Sequence, residues 1–155
     1  MKSIFFFLIV MTSFSMLCGQ EADKKVVNTF IDEWHQDAAN ADMEAYFDKI
    51  DDDGIYIGTD ETEVWTKGEF YEWSKPRTKD GVAWDFKAID RNIYIGENTK
   101  YVWFDELLSF SGGTLRGSGV LVKRKNTWKI LHYVLSLPVP NEKFKAVLEA
   151  MGGKE

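Results

Sequence analysis

The chain has 155 residues and a mass of 17.9 kDa, with 45% hydrophobic, 15% aromatic and 28% charged residues. This length suits one domain, and the composition excludes disordered, collagen-like and coiled-coil proteins. The net charge of −6 argues against a nucleic-acid-binding protein, because contact with the phosphate backbone requires a clustered basic surface.

Residues 1–19 are predicted to form a secretory signal peptide. Lys2 precedes an apolar run over residues 4–11, and smaller residues follow it. The run is too short to cross a bilayer as a permanent helix. Removal of the signal would leave a single exported domain over residues 20–155, periplasmic or secreted. The alternative is a lipoprotein anchored at Cys18, the single cysteine of the chain.

Two helices are predicted next. Apolar residues recur at i, i+3 and i+4 over residues 26–38, which indicates a long amphipathic helix. Asp42 is positioned to cap a second, short helix. Residues 51–54, Asp-Asp-Asp-Gly, are expected to end that helix as a turn, and a short strand over residues 54–58 follows.

A third helix is predicted from its capping residues. Thr66 and Glu69 have the capping-box spacing, in which each side chain satisfies the backbone N–H of the other. The helix is expected to reach about Lys75, because Pro76 cannot donate the next helical hydrogen bond.

The pattern then changes to β-branched and aromatic runs separated by Asn, Gly and Ser clusters, which predicts an antiparallel meander. The four predicted strands are residues 84–95, 100–110, 114–124 and 127–137. Asn141 is expected to cap a short C-terminal helix. Helices followed by a meander indicate an α+β fold with helices packed on one face of the sheet.

This order of elements resembles the nuclear transport factor 2-like superfamily, most closely its SnoaL-like branch, and is also similar to the association domain of calmodulin-dependent kinase II. The residues that carry the resemblance are Arg116-x-Ser118-x-Val120, Trp128-x-Ile130-x-His132-x-Val134-x-Ser136, Gly58-Thr59-Asp60 with Trp65 and Gly68, Trp103-Phe104-Asp105-Glu106, and Pro138-Val139-Pro140-Asn141. The resemblance covers residues 22–141. It implies a cone-shaped fold with N-terminal helices packed on a strongly curved antiparallel sheet. The superfamily includes isomerases, cyclases, dehydratases, binding modules and oligomerisation domains, so the fold does not define the activity.

Strand alternation places Arg116 and Ser118 on one face. On the next strand it places His132 and Ser136 on one face together with the apolar residues Trp128, Ile130 and Val134. A buried arginine without a partner costs several kcal/mol. Arg116 therefore either pairs with Asp105 or anchors an anion in a cavity. His132 is either a hydrogen-bonded core residue or part of the same site.

The leading hypothesis is an exported domain that binds a small apolar or carboxylate-bearing molecule. Arg116 would hold the anion. The orienting residues would be Ser118, His132 and Ser136, and the residues contacting the body of the ligand would be Trp34, Tyr56, Trp65 and Trp103.

Two alternatives remain. The first is an isomerase or dehydratase with Asp105 or His132 as general base and Tyr56 as proton donor. The second is an assembly module that forms a homodimer through a sheet face, as the resemblance implies. His35 is expected to lie on the solvated side of the first helix. The sequence predicts no cofactor, no metal site and no membrane span in the mature chain.

Overall fold

The computed structural model describes residues 23–78, 84–96 and 100–152. The predicted signal peptide and Cys18 lie outside these ranges, so export stays a prediction. The elements are, in order, helix α1 (residues 23–39), α2 (Met43–Asp48), β1 (Ile50–Ile57), β2 (Val64–Thr66), α3 (Lys67–Thr78), β3 (Lys87–Ile95), β4 (Tyr101–Phe110), β5 (Gly113–Arg124), β6 (Thr127–Ser136), a 3-10 turn (Asn141–Lys143) and α4 (Phe144–Ala150).

Six strands form one curved, unclosed sheet in the order β2-β1-β6-β5-β4-β3. Neighbouring strands are antiparallel except β1 and β6, which run parallel. The N-terminal helices pack against one side of this sheet, which we call the inner face; the opposite side is the outer face. The predicted α+β architecture is confirmed.

The core lies between α1 and the inner face. Val27, Ile31 and Trp34 of α1 are at most 1% exposed, as the helical spacing predicts. In β4 the inner-face residues Phe104 and Leu108 are buried, whereas alternate residues point outwards. Full burial of each large apolar side chain contributes about 1.5–3 kcal/mol to stability.

The capping predictions at Asp42 and Thr66 are confirmed, whereas the one at Asn141 is wrong: the 3-10 turn that begins at Asn141 separates it from α4, and no side chain caps α4. The Asp42 side chain accepts a hydrogen bond from the N–H of Ala45 at 3.0 Å. Thr66 N–H donates to Glu69 Oε2 at 2.8 Å, and Glu69 N–H donates to Thr66 Oγ1 at 3.4 Å. Pro76 does not end α3: it lies in the last turn, where only one helical hydrogen bond is lost.

Residues 51–54 form no turn but belong to β1, which has an irregular register against β6 between Ile50 and Ile55. Asp51 is buried there and accepts two hydrogen bonds from Arg124, at 2.8 and 2.9 Å. This paired contact holds an acidic segment in the sheet, where sequence rules favour a turn.

A bulge in β6 changes the orientation of the residues that follow it. Ile130 pairs with Leu121 of β5, and His132 pairs with the preceding Val120, so Leu131 is an extra residue in β6. Side-chain alternation therefore shifts by one after Ile130. Trp128 and Ile130 face inwards, as do Tyr133 and Leu135, whereas His132 faces outwards. The prediction that His132 shares a face with Trp128 is wrong.

Candidate functional site

An open cavity of about 210 Å³ lies between β1, β2, α3 and the segment that enters β3. We call it the aromatic cavity, and its lining residues are Tyr56, Gly58, Thr59, Glu63, Trp65, Phe70, Trp73, Trp84, Phe86 and Leu135. Sites for drug-sized ligands have volumes of roughly 300–1,000 Å³. The aromatic cavity therefore suits a smaller molecule.

Strand pairing and helical spacing together build the aromatic wall. Tyr56 and Trp65 are directly opposite each other on β1 and β2, so their side chains project to the same side. Phe70 and Trp73 are three residues apart on α3 and share a helix face. The Phe70 ring stacks on Tyr56 with 4.0 Å between centroids and on Trp65 with 5.4 Å. Trp65 lies 4.7 Å from Trp73, which extends the aromatic surface along the helix.

The polar groups of the cavity are concentrated at the turn between β1 and β2. Glu63 folds back over Gly58, and a Cβ at position 58 would lie 2.1 Å from Glu63 Oε2, so a side chain there would displace the Glu63 carboxylate. The same carboxylate oxygen accepts a hydrogen bond from Asp60 N–H at 3.2 Å. Burial raises the pKa of Tyr56 well above its usual range, and the negative charges of Glu63 and Glu106 raise it further. Tyr56 is therefore a protonated phenol at neutral pH.

Behind Tyr56, a second group of polar side chains surrounds Glu106, whose side chain is completely buried. Its Oε1 lies 2.8 Å from His35 Nε2 and accepts a hydrogen bond from Tyr133 at 3.0 Å. Its Oε2 accepts from Arg91 Nε at 2.8 Å. Arg91 Nη1 also donates to Asp32 at 2.6 Å. We call Glu106, His35, Arg91 and Tyr133 the Glu106 network.

The Glu106 network holds a fixed negative charge. Burial alone raises the pKa of the Glu106 carboxyl, but the hydrogen bond from His35 and the charges of His35 and Arg91 outweigh burial and lower it. An ionised carboxylate only accepts hydrogen bonds, so His35 carries its hydrogen on Nε2 in this contact. Since both carboxylate oxygens are engaged, Glu106 fastens α1 to β3, β4 and β6 and is not available as a general base.

A profile of the SnoaL-like domain matches residues 27–140 of this chain, which is most of its length. The chain belongs to the SnoaL-like domain family. The resemblance predicted from the sequence is thereby confirmed. Among curated proteins, no sequence matches this chain.

Solved structures agree with this family. An NTF2-like protein from Pseudomonas putida KT2440 is similar at 14% identity with a TM-score of 0.67, covering 79% of this chain and 92% of its own. An NTF2-like protein from Cytophaga hutchinsonii is similar at 18% identity with a TM-score of 0.64, covering 74% and 98%. A protein from Xanthomonas campestris, described as a calcium/calmodulin-dependent protein kinase II association domain, is similar at 18% identity with a TM-score of 0.58, covering 74% and 86%. At these identities the similarity shows the fold alone.

Most of the sequence-predicted site residues of the SnoaL-like domain lie on the outer face, away from the aromatic cavity. These residues are Trp103, Asp105, Arg116, Ser118, His132 and Ser136. Trp103 is 49% exposed there. Asp105 accepts hydrogen bonds from Asn92 at 3.2 Å and Tyr94 at 3.1 Å, so the predicted pairing with Arg116 is not present. On β4 and β5, the positions of the predicted site residues alternate with the positions that face the helices. On β6, the bulge at Leu131 turns His132 and Ser136 to the outer face as well.

The remaining three predicted residues divide between cavity and core. Tyr56 and Trp65 line the aromatic cavity, and their roles in binding stay predictions. Trp34 is 1% exposed, stacked on Tyr46 at 5.0 Å and edge-on to Tyr133 at 4.8 Å, so it packs in the core of the SnoaL-like domain. Its helical position next to the sheet leaves no room for a ligand at this ring.

Sequence reasoning missed Glu63 and all four members of the Glu106 network. His35 was expected on the surface but is 4% exposed. A signal was present: His35 lies four residues after the buried Ile31, on the same helix face. Glu106 likewise alternates in phase with Phe104 and Leu108, the buried residues of β4. A charged residue at a position where the pattern expects a buried apolar residue indicates a buried ion pair, but the sequence does not show which residue is its partner.

Metal-ligand clusters and membrane-spanning helices are absent from the parts of the SnoaL-like domain that the structure describes. There, no three His, Cys, Asp or Glu side chains are close enough together to hold a metal ion. None of the helices in residues 23–78, 84–96 and 100–152 is long and apolar enough to cross a membrane.

Proposed function

We propose that this SnoaL-like domain binds a small, largely apolar molecule in the aromatic cavity. The observation that carries the proposal is the cavity itself, about 210 Å³ in volume and walled by stacked rings. Removing apolar surface from water contributes roughly 25 cal/mol per Å², and flat aromatic walls favour a ligand that can lie against them. Thr59, Glu63 and the Tyr56 phenol are the polar groups able to orient such a ligand.

The carboxylate-bearing ligand was predicted because Arg116 would have anchored it. Arg116 lies on the outer face, and the lining residues among residues 23–78, 84–96 and 100–152 include no Lys, Arg or His. A carboxylate in the aromatic cavity would therefore meet Glu63, a group of like charge, which disfavours it. Asp105 and His132, the general bases predicted for the enzyme alternative, also lie on the outer face and not in the aromatic cavity.

Binding of a neutral aromatic probe is the first expected result. Benzyl alcohol at 100 times its dissociation constant should stabilise the protein by about 2.7 kcal/mol, or about 5–10 °C in Tm. Trp65→Ala should abolish this stabilisation because it removes one wall of the cavity. Arg116→Met should leave it unchanged. Differential scanning fluorimetry measures the shift, and circular dichroism confirms that both variants are folded.

Benzoate serves as the matched anion and is expected to stabilise the protein less than benzyl alcohol does. A benzoate shift larger than that of benzyl alcohol, lost in Arg116→Met but kept in Trp65→Ala, would move the binding site to the outer face. Equal shifts in the wild type and Trp65→Ala would also contradict the proposal.

A homodimer through the outer face is the second proposal, and it is compatible with the first. Trp103 and Tyr94 are 49% and 43% exposed and stack on each other with 5.9 Å between ring centroids. Half-buried Val120 lies beside Trp103 on the next strand, so these three side chains form an apolar patch on the outer face. Such exposed patches are typical of protein interfaces.

Trp103→Glu is therefore expected to convert the dimer to a monomer, weakening association at least about tenfold because a charge replaces a central aromatic contact. Sedimentation velocity measures the change. Trp103→Phe, which keeps an aromatic ring, should remain dimeric. A wild-type protein that sediments as a monomer at high concentration excludes this interface.

A further inference from the structure

The aromatic cavity has an unusual balance of charge. Among the lining residues that the structure describes, Glu63 is the single charged one. Within the described residues, no Lys, Arg or His lies within 4.0 Å of the Glu63 carboxylate, although ion pairs form elsewhere in the fold. The hydrogen bond that Glu63 accepts comes from the backbone of Asp60. Within the part of the chain that the structure describes, the Glu63 carboxylate therefore forms no ion pair.

The aromatic walls also favour a positively charged ligand. The face of an aromatic ring has a negative electrostatic potential and attracts cations within about 6 Å of its centroid. Trp73 already makes this contact with its neighbour on α3: the Arg77 guanidinium carbon lies 3.8 Å from its ring centroid. Arg77 Nη1 is held by the Trp73 carbonyl oxygen at 2.7 Å, and Arg77 is not among the residues that line the cavity.

We propose that the aromatic cavity binds an organic cation with an alkylated ammonium group, with Glu63 as its counter-ion and the rings of Tyr56 and Trp65 as its walls. This inference rests on the proposed function, because it specifies the ligand of the same cavity. It also reverses the sign of the ligand charge predicted from the sequence.

An alkylated ammonium group fits better than a primary amine. A primary ammonium group has three N–H donors, and each would need an acceptor once water is removed. The side chains lining the cavity offer few acceptors, chiefly the Glu63 carboxylate and the Thr59 and Tyr56 oxygens. A trimethylammonium group has no N–H donor and presents methyl groups to the rings, which is how aromatic cages recognise choline-like ligands. The small volume of the cavity also suits a head group of this size.

Three probes of nearly the same shape test the proposal: choline, 3,3-dimethylbutan-1-ol and 3,3-dimethylbutanoate. In the alcohol, a carbon atom replaces the choline nitrogen, so the pair differs in charge alone. By isothermal titration calorimetry of the full domain, choline should bind about tenfold or more tightly than the alcohol, and the butanoate most weakly. Raising the salt concentration should weaken choline binding and leave the alcohol unchanged.

Glu63→Gln should remove most of the preference for choline and keep the affinity for the alcohol. Glu61→Gln is the matched control, because Glu61 is an exposed acid of the same turn and does not line the cavity. Equal affinities of choline and the alcohol in the wild type, with no effect of salt, overturn the cation proposal without use of any variant. The broader proposal fails separately, when benzyl alcohol does not stabilise the protein.

Discussion

Glu106→Gln is expected to lower the free energy of unfolding by about 3 kcal/mol or more, the largest effect of any single substitution considered for this protein. Removing one member of a buried ion pair typically costs about 3–5 kcal/mol, because the partner charge stays buried without compensation. Arg91 would be that partner: its side chain is 4% exposed and contacts Glu106 through Nε and Nη2, both at 2.8 Å. The loss of stability should lie near the lower end of this range, because Asp32 still accepts a hydrogen bond from Arg91.

The effect should depend on pH in a defined direction. The pKa of Glu106 is lower in the folded protein than the value of about 4.3 expected for an unfolded chain. The network's contribution is therefore fully present above that unfolded value and is lost as the pH falls through the folded pKa. Urea unfolding at a series of pH values should show the wild type and Glu106→Gln converging below about pH 4.

Asp105→Asn is the control for this substitution. Asp105 precedes Glu106 on β4 but faces outwards, where its partners Asn92 and Tyr94 are exposed. Its replacement should change the free energy of unfolding by less than about 0.5 kcal/mol. If the two variants lost similar stability, or if the loss in Glu106→Gln persisted undiminished at low pH, the assignment of Glu106 as a buried, ionised anchor would be wrong.

Gly119→Ala is expected to destabilise the protein by about 1–3 kcal/mol through overpacking. Gly119 lies on the inner face of β5, where a Cβ would be 2.7 Å from the Phe104 ring and 2.9 Å from the carbonyl oxygen of His132. The carbonyl belongs to the backbone of β6, which is paired with β5 on one side and β1 on the other, so it has little freedom to shift. Denaturant unfolding measures the loss.

Gly68→Ala provides a matched substitution in α3, where nothing lies within 4 Å of the added methyl group. Alanine is the better helix former, so the free energy of unfolding should stay the same or rise by up to about 1 kcal/mol. A loss of stability in Gly68→Ala equal to that in Gly119→Ala would show that the close approach of β5 to Phe104 is not the cause.

Local patterns in the sequence were sufficient for most element positions. The spacing of Ile31 and Trp34 predicted α1, and the capping pairs of Asp42 and Thr66 predicted the starts of α2 and α3, because helix periodicity and capping involve residues within one or two turns. The last four strands were predicted within three residues of their observed ends. Tyr56 and Trp65, which were predicted to contact a ligand, line the aromatic cavity, and their role in binding stays a prediction.

The features that were missed depend on contacts between distant residues. Leu131 is an extra residue only with respect to β5, so the sequence of β6 alone does not reveal that His132 turns outwards. Glu106 meets His35, which is 71 residues away, and Arg91, which is 15 residues away. Asp51 stays in β1 because Arg124, 73 residues later, holds it.

The sequence by itself determined the order of helices and strands apart from the short strand β2, which was not predicted, the SnoaL-like family and which residues share a side of each unbulged strand. Only the tertiary structure decided which side of the sheet the helices cover. Strand alternation has a period of two and treats both faces alike, so it cannot distinguish the face of Arg116 from the face of Glu106. The packing of α1 through Trp34 and His35 makes the face of Glu106 the inner face. This choice also sets the position and the charge of the cavity.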